Sequence, residues 1–372
     1  MADVLSSRTD LYNPTSNSIT DVGASNAVQQ PMVPTLPPDV DPTKVQLAYG
    51  RRAVPKLISE LTSEHLFVRQ RALVFLADLF HDPRNVAQGL SEGIVDKITR
   101  MLSESDLTVR QKVTECFLTL SGHAVGRTGI IENETLMPLS KLFEDQDDLV
   151  RKQVHETFAR TTTQQAGVDS LLSFALFTPL IQKLSTERTE IKIPILETCY
   201  NCIRLGREPS MPRDALESGA MEALTGLVKK ELVMGVKVAG ARCIMMLSFY
   251  PEAKRIACRE QTVPVLIDLL VARKAEVRAA AAGALMSITI DCDAKRLMVR
   301  ENALPTLVEL LSDQNESVLL NVIKTITNCA EDYRGRFQLH GALKQLQNFT
   351  ESKNTQLAEA ARRAIAVITW RP

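Results

Sequence analysis

In the stretch EVRAAAAGALMSITI (276–290), counting from Val277, small or apolar residues return at plus four, plus eight and plus eleven as Ala281, Leu285 and Ile288, while Arg278 follows the anchor. That spacing places the four on one face of a helix with about 3.6 residues per turn and predicts a long amphipathic helix. The same frame fits on Val68, Val109, Val150, Ile191, Val236, Val318 and Leu357. Its stripe positions are then Ala72, Leu76, Leu79; Val113, Phe117, Leu120; Val154, Phe158, Thr161; Ile195, Cys199, Cys202; Gly240, Ile244, Leu247; Val322, Ile326, Cys329; and Ala361, Ile365, Ile368. Successive anchors lie 41, 41, 41, 45, 41, 41 and 39 residues apart, a fixed period that marks a repeat array.

Each full period holds two further helical pieces. A short first helix, as in DAKRLMVRENA from Asp293, ends elsewhere at Gly93, Gly219 or Gly341, a usual helix stop. A second helix, as in LPTLVELL from Leu304, is entered near a proline, and Pro55, Pro138, Pro179, Pro264 and Pro305 repeat the device, because the first helical position needs no hydrogen-bond donor. Acidic or turn-forming residues precede the third helix at Glu104 to Asp106, Asp145 to Asp148 and Asp313 to Glu316, where they suit capping. Three helices in this period predict an all-α fold, a right-handed α-solenoid of armadillo-type repeats, with a two-helix HEAT unit as the structural alternative. The count is eight units, the first lacking its first helix. The extra residues of the 45-residue interval fall around Gly206 to Arg213, read as a loop excursion. Residues 1–42 are rich in Ser, Thr, Asn and Pro without helical period, and are expected to form a tail that is disordered alone or held by a partner, ahead of a solenoid over 43–372.

A single core would normally have split in a chain of 372 residues, whereas a solenoid packs each repeat only on its neighbours. The charges balance, 44 basic against 44 acidic, but the first 42 residues hold five Asp and one Arg, which leaves the remainder mildly basic. That balance, with 5% aromatics, argues against nucleic acid as a partner. Seven cysteines, an odd number, point to free thiols in a reducing compartment. Cys199 and Cys202 have CxxC spacing, yet both fall on the apolar stripe and no second pair follows, so core packing is the expectation rather than metal or redox chemistry. The longest apolar run, Leu171 to Ile181, is interrupted by Ser173, Thr178 and Pro179 and falls short of the ~20 residues that span a bilayer, so no membrane segment is expected.

No catalytic constellation emerges. His65, His81, His123, His155 and His340 are scattered, with no partner at metal-ligand spacing. Gly126-Arg127-Thr128-Gly129 is read as a turn between helices rather than a phosphate cradle, and Glu144, Asp145, Asp147 and Asp148 as solvated caps. The expectation is a non-enzyme with no cofactor, metal or small-molecule substrate.

Function then resides in surface. A stacked solenoid lines up its third helices on one side. Their plus-six row reads Val74, Glu115, Glu156, Glu197, Arg242, Gly283, Lys324, and their plus-ten row Asp78, Thr119, Arg160, Asn201, Met246, Ser287, Asn328. The first row changes sign halfway: it is either a mixed solvated face or a groove whose acidic and basic halves fix the direction of a bound partner. A second basic cluster runs along the first helices at Lys254, Arg255 and Arg259, then Lys295, Arg296 and Arg300, then Arg334 and Arg336, and solvation alone also accounts for it.

Armadillo proteins that carry nuclear localisation signals place a Trp and Asn ladder on the third helices. Here the plus-six row has no Trp and the plus-ten row keeps only Asn201 and Asn328, which weakens the alternative of a soluble adaptor for extended peptides. The chain resembles the radial spoke head protein fourteen homolog family of ciliary and flagellar axonemes. The resemblance rests on PPDVDPTKVQLAYGRRAVPKL (37–57), RQRAL from Arg69, HDP from His81, HAVGR from His123, AAGALM from Ala281 and AARRAIAVI from Ala360, with a terminal Pro372. The first 36 residues depart from the family pattern. The resemblance implies a structural subunit of the radial spoke, the T-shaped complex linking doublet microtubules to the central pair. It further implies other spoke proteins as partners and the axonemal cytoskeleton as location.

Overall fold

The computed structural model describes residues 52–207 and 211–371. The expected tail over 1–42, the division at 42/43 and residues 208–210 of the expected excursion lie outside the described residues. Within them all regular structure is helical, in eight units. Unit 1 holds Ala53–Glu60 and Leu66–Leu79; unit 2 holds Pro83–Ser91, Ile94–Arg100 and Leu107–Ser121. Unit 3 holds Ala124–Glu132, Leu136–Ser140 and Asp148–Thr161, and unit 4 holds Gln165–Ser173, Phe177–Thr186 and Thr189–Leu205. Unit 5 holds Met211–Glu217, Ala220–Lys230 and Met234–Leu247, and unit 6 holds Pro251–Arg259, Thr262–Leu269 and Ala275–Ile288. Unit 7 holds Cys292–Arg300, Leu304–Glu309 and Glu316–Ala330, and unit 8 holds Tyr333–Leu339, Leu343–Phe349 and Thr355–Thr369. Three helices per full unit decide for the armadillo arrangement over the two-helix alternative.

The third helices of successive units pack on one another along the array, so the core is a continuous layer rather than a centre. The stripe positions fill it: all are buried except Leu79 and Ile365, which are half-buried in the two terminal units. Cys199 and Cys202 lie wholly inside, all seven thiols are free, and burial pushes the Cys243 and Cys329 thiols up to about 12. Half of the third helices carry the expected cap: Asp106 accepts from Val109 N, Asp147 from Val150 N, and Asn315 and Asn354 each from two amides of their own first turns.

Several local details differ from the sequence reading. The prolines that open the second helices stand mostly at the third helical position, as Pro138 in Leu136–Ser140 and Pro264 in Thr262–Leu269. That site tolerates them because every amide of the first turn lacks an intrahelical acceptor. Gly126 to Gly129 lie inside the helix Ala124–Glu132, not in a connection. Gly126 is there because a Cβ would collide with the Leu120 carbonyl, and Gly167 and Gly335 meet the preceding helix in the same way. The turn from first to second helix is left-handed at Gly93 and Gly219, as expected, but Gly341 has no positive φ. Four units place Glu134, Ala175, Gln261 and Asn302 in that conformation at φ of 52 to 58°. Side-chain residues are disfavoured there by about 1–2 kcal/mol.

The frame position occupied by Arg278 is drawn into the packing between units. Arg69, Arg110, Arg151 and Arg278 are half-buried, and each donates from Nη1 to the two carbonyls six and five residues back. Each guanidinium also reaches a carboxylate in the loop of the next unit. Arg110 Nε meets Asp145 at 2.8 Å, Arg151 Nε meets Glu187 at 2.8 Å and Arg278 Nε meets Asp313 at 2.7 Å, while Arg69 meets Glu104 at 3.2 Å. Lys192 pairs with Glu231 in the same role. Asp145 is therefore a nearly buried acceptor, not the solvated cap the sequence suggested. A parallel rung joins Gln70 to Asp106 at 2.9 Å and Gln111 to Asp147 at 3.2 Å. The hydrogen bond from Gln70 holds the Asp106 carboxyl below its ordinary pKa.

Two outcomes follow from this geometry. Arg110→Lys replaces a planar fork by a point charge that cannot serve both the loop carbonyls and Asp145, and is expected to destabilise by about 1–3 kcal/mol in urea titrations, against under about 0.5 kcal/mol for Arg100→Lys on the exposed surface. Ala175→Gly is expected to raise the melting temperature through a gain of about 0.5–1 kcal/mol, because relief of the left-handed strain outweighs the entropy of glycine; a lowered melting temperature would count against that backbone assignment.

Candidate functional site

Between the third helices of units 3, 4 and 5 runs a groove of about 880 Å³. Helical spacing builds it. Lys152, Glu156 and Arg160 form one wall, Glu190, Ile193, Pro194, Glu197, Tyr200, Asn201 and Arg204 form the floor and second wall, and Ala239 and Arg242 close it. At the shared plus-six level the charge changes along the array from Glu156 and Glu197 to Arg242, with Glu190 nearer the N-terminal end and Arg160 and Arg204 nearer the C-terminal ends of their helices. Arg242 stacks over the Tyr200 ring at 4.6 Å and Arg204 at 5.9 Å, so one aromatic face carries two guanidinium groups. Pro194 interrupts the hydrogen-bond ladder inside Thr189–Leu205, the longest helix among the described residues.

Of the residues singled out from sequence, Glu156, Glu197, Asn201 and Arg242 border this groove. Glu115 does not line it and is bound to Lys112 at 2.7 Å, while Glu156 is near Lys152 at 3.9 Å. Asn201 is turned to the neighbouring helix: its amide donates to Ala159 O and Thr162 Oγ1, each at 3.4 Å. Arg160 donates to Leu118 O at 2.9 Å, and Asn328 to Met286 O at 2.9 Å and Thr289 Oγ1 at 3.2 Å. Three of the seven plus-ten residues, Arg160, Asn201 and Asn328, thus brace one unit on another, whereas Thr119 and Ser287 bond within their own helices. Lys324 and Asn328 belong to unit 7, beyond a patch of small side chains in unit 6. There Met245 Sδ of unit 5 and Asn321 Nδ2 of unit 7 stand 3.0 and 3.1 Å from where a Cβ of Gly283 would be.

The first-helix edge is less free than its charge suggested. Lys254 is buried with its ammonium on Phe249 O, and Lys295 is buried against Glu331 at 2.5 Å. Arg296 pairs with Asp293 at 3.1 Å, and Arg255 is exposed. A cleft of about 530 Å³ lined by Phe143, Asp145, Arg151, Lys183 and Glu187 has its charges engaged by the inter-unit pairs and by Lys183 to Glu144 at 2.7 Å. Among the described residues no cluster of His, Cys, Asp and Glu suits a metal, and no helix is long and apolar enough to cross a membrane. Sequence reasoning missed Tyr200 and Arg204, which stand at plus nine and plus thirteen of the frame and not in either row followed.

Comparison with known proteins agrees with this architecture. A model of the armadillo/beta-catenin-like repeat matches residues 291–331, which is unit 7. The chain is 27% identical over 236 residues to Radial spoke protein 14 of Chlamydomonas reinhardtii, a match covering 60% of this chain and 60% of that protein, so the chain spans well under two thirds of its relative's length. This similarity agrees with the resemblance carried by the motifs from Pro37 onward. Among solved structures, an engineered protein superposes with a TM-score of 0.72 at 19% identity, covering 85% of this chain and 89% of that one. Two designed armadillo repeat proteins, one described as made for modular peptide recognition, give TM-scores of 0.58 and 0.59 at 18% identity over 63% of this chain and 99% of theirs. These structures establish the armadillo fold.

One buried group bordering the groove's first helix has a pH signature. His155, in Asp148–Thr161, is wholly buried, stacks on Phe143 with ring centroids 4.4 Å apart, and has no hydrogen-bond partner at either ring nitrogen. Burial first, then Lys183 and Arg151, push its pKa down to about 3 from 6.5. With the folded value depressed, the unfolded chain takes up the proton first, so stability falls as pH drops below about 6.5 and continues to fall toward about 3. Between pH 7.5 and 5 the native chain is expected to lose about 2 kcal/mol more than His155→Phe or His155→Leu, measured by urea titration at each pH; equal losses would mean the imidazole is charged or solvated in the fold.

Proposed function

We propose that the chain is a non-catalytic scaffold subunit of the axonemal radial spoke, and that it holds an extended segment of another spoke protein in the groove of units 3 to 5. The observation that carries the reading is the groove itself: Glu156, Glu197 and Arg242, drawn from one row of the sequence frame, converge on it with Tyr200. Similarity to a radial spoke protein supports the assembly and place. The change from Glu156 and Glu197 to Arg242 along the array suits a partner segment whose basic part lies over units 3 and 4 and whose acidic part lies toward unit 5, beside Arg242 and Arg204. In this reading residues 1–42 form a tail ahead of the solenoid that contributes to assembly. The import-type alternative loses support because Asn201 and Asn328 are engaged in bracing the array instead of facing a peptide.

Exposed charges contribute little to folding, usually under about 1 kcal/mol each, whereas like charges across an interface cost several kcal/mol. Glu156→Lys with Glu197→Lys is therefore expected to leave helical content and melting point nearly unchanged. Expressed in ciliated cells lacking the native protein, the double variant should be recovered in the extracted spoke fraction at about one tenth of the native level or less. A control carrying Arg255→Glu and Arg296→Glu on the first-helix edge should be recovered normally. Equal recovery of the two variants would overturn the groove assignment.

A further inference from the structure

The inter-unit ladder has one gap where its cation is present and its acid is missing. From Arg69, Arg110, Arg151, Lys192 and Arg278 the carboxylate is supplied in the next unit by Glu104, Asp145, Glu187, Glu231 and Asp313. The corresponding cation of unit 5 is Lys237, and the place of its acid is taken by Ala272. Lys237 is half-buried, and its ammonium makes no ion pair or hydrogen bond among the described residues.

The same junction is apolar where the others are polar. Leu232, Val233 and Met234 follow Glu231 and are exposed, Leu232 to 87%, and Val271, just before Ala272, is exposed to 71%. The two helix-capping places that Asp106 and Asn315 occupy in units 2 and 7 fall here to Val233 and Lys274, and Ser103 and Ser312 stand where unit 6 has Val271. Around this apolar strip Lys229, Lys230, Arg273 and Lys274 are exposed and without acidic partners. The acids on the same segments are Glu231, held by Lys192, and Asp268 and Glu276. Exposed aliphatic side chains rimmed by unpaired cations mark a docking surface, not a solvated loop.

We propose that the junction of units 5 and 6 docks an acidic, amphipathic segment of a partner protein, one of whose carboxylates takes the vacant ladder place beside Lys237 while its apolar side chains cover Leu232, Val233, Met234 and Val271. A protein segment fits better than an anionic lipid surface because the vacancy is a single half-buried slot, and its intact arginine counterparts in units 2, 3 and 6 hold a carboxylate at 2.7 to 2.8 Å. This surface lies on the loops between second and third helices, apart from the groove, and it does not depend on the reading of the groove.

The test uses the full chain and a fluorescein-labelled helical peptide built of Glu and Leu, with Leu at helical spacing, followed by fluorescence anisotropy. A peptide with Lys in place of every Glu and vesicles of phosphatidylcholine with phosphatidylserine are run beside it. Ala272→Glu supplies the missing carboxylate from the chain itself; it should keep or raise the melting temperature and weaken the acidic peptide about tenfold or more. Leu232→Ser with Val271→Ser should weaken it similarly without loss of helical content. The basic peptide should bind at least about tenfold more weakly than the acidic one. Equal binding of the acidic peptide to native and Ala272→Glu chains, no preference for the acidic over the basic peptide, or vesicle binding that falls with the same substitutions would each overturn the proposal.

Discussion

The arginine at the start of four of the eight third helices, with Lys192 in the same role in a fifth, is the contact on which the arrangement of this solenoid depends. Apolar burial holds the units together, but it is non-directional and would tolerate a neighbour that slid or rotated. The guanidinium fork removes that freedom. It closes the loop before its own helix through two carbonyls and fixes a carboxylate in the loop of the next unit, so one side chain sets both the entry to a helix and the register of the following repeat. Half-burial raises the value of each charge-assisted bond over that of an exposed pair.

The groove is a by-product of the same order. Once successive third helices are held in register, side chains at equal frame positions become neighbours across the array. Some then bind the preceding helix, as Arg160 and Asn201 do, and the rest face solvent together. Tyr200 matters here because its ring holds Arg242 and Arg204 in place without neutralising them. Positive charge in this part of the groove is thus positioned yet available, whereas the acid at Glu156 already has Lys152 within ion-pair range.

Much of the fold was legible because helical period and repeat period are properties of residue type alone. The stripe from Val109 through Leu120 could be assigned to the core without knowing its neighbours, and Asp106 and Asp147 announced themselves as caps. What was not legible depended on which of two adjoining units a side chain meets. Asp145 read as a solvated cap, and Arg278 gave no sign of a partner, because the other member of each pair lies about one repeat away, and Asn201 read as a surface residue although its acceptors belong to the preceding unit. The four side-chain residues at positive φ carry no signal that separates them from ordinary helix ends. Leu79 and Ile365 differ from their equivalents only because they stand in terminal units, which a repeat frame treats as identical to the interior.

Gly283 ties the fit of two junctions to the absence of one side chain. In a simple repeat array each unit senses only its immediate neighbours, and opening can stop at any junction. Over Gly283 the side chains of Met245 and Asn321, from the units before and after, approach the same spot on the helix between them. Both junctions of unit 6 therefore converge on the one place in its third helix that has no side chain, and a methyl group there would press on the unit before and the unit after at the same time.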